Sequence, residues 1–161
     1  MITTVPDRET DVARPGVGVG LEKSNSRKVF ITETDLKRLR ALLISAKGWN
    51  VRDKQHLEGL RAELHRAIVV HPTDIPADTV TLNTKVLMTD LDTGESMTWI
   101  LVMPGNANFD QRKISVLAPI GIALIGCRVG DVVEIEVPSG KTRFKIDAVL
   151  YQPEAAGQDL L

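Results

Sequence analysis

Cysteine, histidine and aromatic residues are scarce in these 161 residues, with one Cys, three His, two Trp, one Tyr and three Phe, and charge of either sign is nearly balanced. Each shortage narrows the field. The single thiol, Cys127, cannot close an internal disulfide and leaves a zinc site without a second sulfur. His56, His65 and His71 are spread too widely for a zinc signature and read as solvated positions, so neither metal nor cofactor is expected. A net charge of −1 argues against a general nucleic-acid binder, because neutralising an extended row of phosphates takes a clustered Lys/Arg excess. Protein partners are expected instead, with no sequence-specific contact to nucleic acid. No stretch approaches the ~18 apolar residues needed to cross a bilayer. The opening MITTVPDRETD lacks the basic and apolar blocks of a secretory leader. Both points predict a soluble protein of a reducing cytoplasm without a membrane partner.

At 43% hydrophobic residues the chain suffices for one good core, or one small domain carrying a helical appendage. Residues 1–27 mix Pro6, Pro15, Gly16, Gly18 and Gly20 with charges and small side chains, which predicts a flexible tail. The glycine run there follows no strand and precedes no lysine in register, so it is weak as a phosphate cradle. From 28 to 72 the pattern is helical. Thr32 offers an N-cap oxygen with Asp35 three residues on, and Leu36, Leu39, Leu43 and Ala46 predict a helix to about Lys47. After Gly48, Trp49 and Asn50, a second stripe of Leu57, Leu60, Leu64 and Ile68 predicts a helix that stops at Pro72. Two short helices with a short connection form an antiparallel hairpin, a minimal coiled coil.

The period then shortens to two. Residues 80–88 and 97–102 read as a hairpin around Asp90, Asp92, Gly94 and Glu95; 104–113 is a polar excursion; 143–151 closes the sheet. The acids of that turn do not make a calcium loop, since the position that needs a bidentate glutamate is Leu101. Residues 114–140 carry the densest set of devices. An apolar run ends at Ala118, Pro119 opens a one-turn helix, Gly126 sits where a C-cap glycine belongs, and Gly130-Asp131 turns the chain into an alternating strand closed by Pro138-Ser139-Gly140.

The order Ala118-Pro119-Ile120-Gly121, Ala123-Leu124, Gly126, Gly130-Asp131, Pro138 and Gly140 resembles the C-terminal domain of the bacterial transcript-cleavage factors GreA and GreB. The stretch from Tyr151 through Gln152, Pro153 and Glu154 to Leu161 narrows the resemblance to the Rnk type, named as regulators of nucleoside diphosphate kinase, a short-hairpin branch of that family. It covers roughly residues 28–161. It implies an α+β protein: a short antiparallel helical hairpin over 28–72 and an FKBP-like antiparallel sheet domain over 73–161.

The resemblance also implies a partner, RNA polymerase, met near its secondary channel. Gre tips bring acidic residues to the polymerase metal, and a hard cation needs more than one carboxylate to be held firmly. Here the tip offers Asp53 alone, between Arg52 and Lys54, so no catalytic residue and no transcript cleavage are expected. Asp53 matches an Asp of Rnk-like tips and is a candidate contact to polymerase, but reads first as an N-cap or first-turn acid of the second helix. Trp49 is a candidate interface anchor or a cover for the hairpin seam. Pro119, Gly121, Gly126, Gly130 and Asp131 are carried over as docking residues. A Gre-like cleavage factor working through Asp53 is the alternative. Prolyl isomerase activity needs an aromatic cavity that Trp99, Phe109, Phe144 and Tyr151 are too dispersed to build, and a shared fold would not establish it.

Overall fold

Thr32 ends one element and starts the next. It closes strand β1 (Phe30–Thr32), and its side-chain oxygen accepts the Asp35 amide at 3.0 Å, capping helix α1 (Glu33–Ile44). The computed structural model describes residues 29–45 and 51–157. The tail at 1–27 and the tip residue Trp49 therefore lie outside the described residues, as does the expected end of the first helix at Lys47. Helix α2 (Val51–Arg66) has His65 and Arg66 in its last turn, where the Arg66 cation meets the negative end of the helix dipole.

The second helix is shorter than its stripe predicts. Ile68, expected as the last helical leucine-like position, instead opens strand β2 (Ile68–Val70), which pairs in parallel with β1 through Phe30↔Ile68 and Thr32↔Val70. Three β-branched residues in succession favour extended backbone, and the Val29 carbonyl accepts the Ile68 amide at 2.7 Å.

The second sheet has five strands in the order β5-β4-β3-β7-β6, built from β3 (Lys85–Asp90), β4 (Ser96–Val102), β5 (Lys113–Ser115), β6 (Val132–Val137) and β7 (Gly140–Tyr151), with helix α3 (Pro119–Leu124) between β5 and β6. The β3–β4 turn forms where expected: Asp90 Oδ1 accepts the amides of Asp92 and Thr93 at 2.8 and 3.2 Å. Three details differ from the sequence reading. The first strand starts at Lys85, because 80–84 folds into a local turn in which Thr84 Oγ1 accepts the Thr81 amide at 2.9 Å and Asn83 takes φ 69°. Strand β5 runs parallel to β4, where an antiparallel partner was expected. And β7 lies inside the sheet, between β3 and β6, so the last strand in sequence is not an edge.

A single buried cluster runs through all of this. Ile31, Leu36 and Leu39 from the first strand and helix, and Leu57 and Leu60 from the second helix, pack with Val86, Met88, Leu101, Ile122, Leu124, Val133 and Ile146. Each fully buried leucine contributes roughly 1.5–3 kcal/mol relative to an exposed one. Helix gives way to sheet near Pro72, yet the apolar core crosses that boundary.

A candidate docking surface

The chain turns sharply after β5. Ser115 Oγ accepts the Leu117 amide at 2.9 Å and the Ser115 carbonyl accepts the Ala118 amide at 3.0 Å, which delivers Pro119 to the first position of α3, where its missing N–H costs nothing. The six-residue helix is almost wholly buried from Gly121 to Leu124. A Cβ on Gly121 would stand 2.0 Å from the Ser115 carbonyl oxygen, so only glycine lets α3 lie this close to β5. Gly126 meets two demands together: it takes φ 80°, and a Cβ there would stand 2.2 Å from Val29 Cγ1. The Gly126 position thus seats the segment against the chain that enters the helical pair. Val80, in the chain ahead of β3, joins in, with Gly126 donating to the Val80 carbonyl and Val80 donating to the Cys127 carbonyl. Cys127 is buried and its Sγ–H donates to the Ala123 carbonyl at 3.0 Å.

The turn that follows faces solvent. Asp131 Oδ2 accepts the Arg128 amide at 2.8 Å, and the Gly130 amide donates to the Ile146 carbonyl at 2.8 Å. These bonds fix the turn's shape. Arg128 reaches back to Asp78 with Nε at 2.9 Å and Nη2 at 3.2 Å from the two carboxylate oxygens. That paired acceptor, more than its charge alone, holds the guanidinium even more firmly protonated than usual.

The sequence-predicted residues therefore separate. Gly121 and Gly126 are buried packing positions and present no surface; Pro119 and Gly130 are exposed; Asp131 is half-buried and shapes the turn. Asp53 falls in the first turn of α2, with its side chain outside the described residues. Arg128 and Val129, within the same stretch, are exposed as well; the tie from Arg128 to Asp78, 50 residues away, lies beyond any local pattern. Among the described residues no three His, Cys, Asp or Glu side chains gather as metal ligands, and no helix is long and apolar enough to cross a membrane.

Asp35 is a residue that sequence reading missed as special. It is 1% exposed, and instead of turning back to its own helix as a capping-box acid would, its Oδ2 accepts the Leu82 amide at 2.9 Å. Burial pushes its pKa up to about 7 against the pull of that amide; the charge of Glu154 adds to the rise and Arg38 opposes it. Beside it, the Thr81 hydroxyl donates to Glu154 Oε1 at 2.7 Å and lies 2.8 Å from Thr84 Oγ1.

Known proteins share both halves of the chain. Residues 27–70 match the family described as Rnk N-terminus, and residues 75–151 match the family described as transcription elongation factor GreA/GreB, C-terminal. A regulator of nucleoside diphosphate kinase from Escherichia coli K12 is 38% identical over 136 residues, 83% of this chain and 96% of that protein. Transcription elongation factor GreA of Clostridium botulinum is 39% identical over 87 residues, 54% of each chain. The solved structure of a GreA/GreB transcription elongation factor from Nitrosomonas europaea superposes with a TM-score of 0.64 at 35% identity, covering 78% of this chain and all of that one.

Proposed function

Because the chain belongs to the Rnk branch of the GreA/GreB transcription elongation factor family, we propose that it is a transcription regulator that binds RNA polymerase at the entrance of the secondary channel, competes there with Gre factors and does not promote transcript cleavage. The exposed residues of the motif, Pro119, Arg128, Val129 and Gly130, make the docking contact. The helical pair enters the channel. Its helices have 12 and 16 residues, which at about 1.5 Å per residue reach only about 18–24 Å. With Asp53 as the single tip acid between two cations, the tip offers no second carboxylate for a shared metal. The effect on nucleoside diphosphate kinase named in the relatives is indirect on this reading, exerted through transcription in the cytoplasm.

The observation that carries the proposal is the mounting of the hairpin: Gly126 of the docking segment abuts Val29, and the helices share the sheet's core. A docking segment rigidly joined to a protruding helical pair suits a factor that must aim one at a channel while holding the rim with the other. Arg128→Ala combined with Val129→Asp is expected to weaken binding to core polymerase at least about tenfold, as loss of an exposed Arg anchor and insertion of a charge do at interfaces. Thermal stability should barely change, since an exposed ion pair contributes about 1 kcal/mol or less. Equal affinity of the double variant and the parent would remove the docking assignment. The alternative, a cleavage factor working through Asp53, would release short RNA from backtracked polymerase, and Asp53→Ala would abolish that release; no release is expected.

A further inference from the structure

We propose that the Asp35 carboxyl is a proton-operated latch that holds the helical pair against the sheet domain, closed when protonated and loosened when ionised. The geometry is that of a clasp at a junction. Three pieces of chain meet around the carboxyl: the first turn of α1, the 81–84 turn that precedes β3, and the segment after β7. Asp35 supplies a hydrogen bond by which α1 grips that turn, through the Leu82 amide at 2.9 Å, across 47 residues of sequence. The turn is itself tied to the far end of the chain, because Thr81 donates to Glu154 and Thr84 braces Thr81. Gln152 fastens the same segment from the other side, donating to the carbonyls of Pro76 and Thr79 at 2.8 Å each.

The charged groups facing the carboxyl decide its behaviour. On α1 itself, Arg38 Nη1 donates to Oδ1 at 3.4 Å, a long hydrogen bond and ion pair from a side chain that is one-third exposed. From the segment after β7 comes Glu154, a like charge. A negative charge on Asp35 therefore has the Leu82 amide and a long contact with Arg38 in its favour, and burial and a like charge against it, of which burial is the largest.

The sign follows. The carboxyl titrates at about 7 when the latch is closed and near the ordinary 3.8 when released. The closed state binds the proton more tightly, so it is favoured at low pH and loses that advantage as pH rises from about 4 to about 7; above 7 both states are ionised and the dependence levels off. Release should become about tenfold more frequent per pH unit between pH 5 and 7. That this sets how firmly the hairpin is aimed at polymerase rests on the function proposed above; the latch itself does not.

Hydrogen exchange on the free protein, corrected for intrinsic rates, separates the two. The Leu82 and Leu39 amides are expected to exchange faster than the Ile146 amide of the sheet, with an opening constant that climbs about tenfold per unit from pH 5 to 7 and then flattens. Asp35→Asn keeps the shape and the acceptor for Leu82 but cannot titrate, and should show a flat profile. Glu154→Gln removes the repelling charge and should move the flattening point to lower pH. A flat profile in the parent, an unchanged profile in Asp35→Asn or in Glu154→Gln, or identical protection at Leu82 and Ile146 would overturn the latch, whatever polymerase binding shows.

Discussion

Gly121→Ala is expected to lower the melting temperature by roughly 10 °C or more, the largest single effect at any glycine of the motif. The new Cβ would stand 2.0 Å from the Ser115 carbonyl oxygen and 3.0 Å from Val116 Cα, both backbone atoms, so no side chain can move aside. Helix α3 must lift from β5, opening the core around Ile122 and Leu124, which are buried. Overpacking of this severity costs about 3–5 kcal/mol, at the upper end of single substitutions, and about 2–4 °C accompanies each kcal/mol in a chain of this size. Gly130→Ala is the informative contrast. It too sits at positive φ, 96°, but its added Cβ meets nothing within 4 Å, so only backbone strain of about 1 kcal/mol is expected. Differential scanning calorimetry reads both; equal and small losses would show that the close approach of α3 to β5 is not a constraint.

Leu39→Ala should be nearly as damaging, at about 2–5 kcal/mol, and its consequence should not stay in the helices. Leu39 is fully buried in a cluster that includes Met88, Leu101 and Ile146 of the sheet. Truncating it leaves a cavity shared by both layers, so helix and sheet should lose stability together. Amide exchange at Ile146 is the check: faster exchange there in Leu39→Ala confirms the shared core, whereas loss of helix with unchanged protection of Ile146 would mean that the hairpin is only appended.

What could be read from the sequence was what local chemistry determines. Thr32 as a cap, Asp90 to Glu95 as a hairpin turn, Pro119 as a helix opener and Gly126 as a left-handed terminator each act within a few residues of themselves, and each appears in place. The misses are long-range. Nothing in Val29, Phe30 and Ile31 announces a parallel partner in Ile68 to Val70, and the alternation of β7 does not say that it lies between β3 and β6. The motif's positions also divide in a way spelling does not reveal: Gly121 and Gly126 are buried in close packing, while their neighbours Arg128 and Val129 are exposed. Asp35 looked like half of a capping box because its spacing from Thr32 fits one; of its side-chain partners, Arg38 is local but the Leu82 amide is set by tertiary structure alone.

The central claim is tested most directly by competition at polymerase. A fluorescently labelled sample of this chain, bound to core RNA polymerase, is titrated with a GreA factor. Displacement to completion, with the affinity that GreA shows when it binds polymerase alone, is the predicted result; failure of the folded chain to bind polymerase, or binding that GreA does not displace, would contradict it.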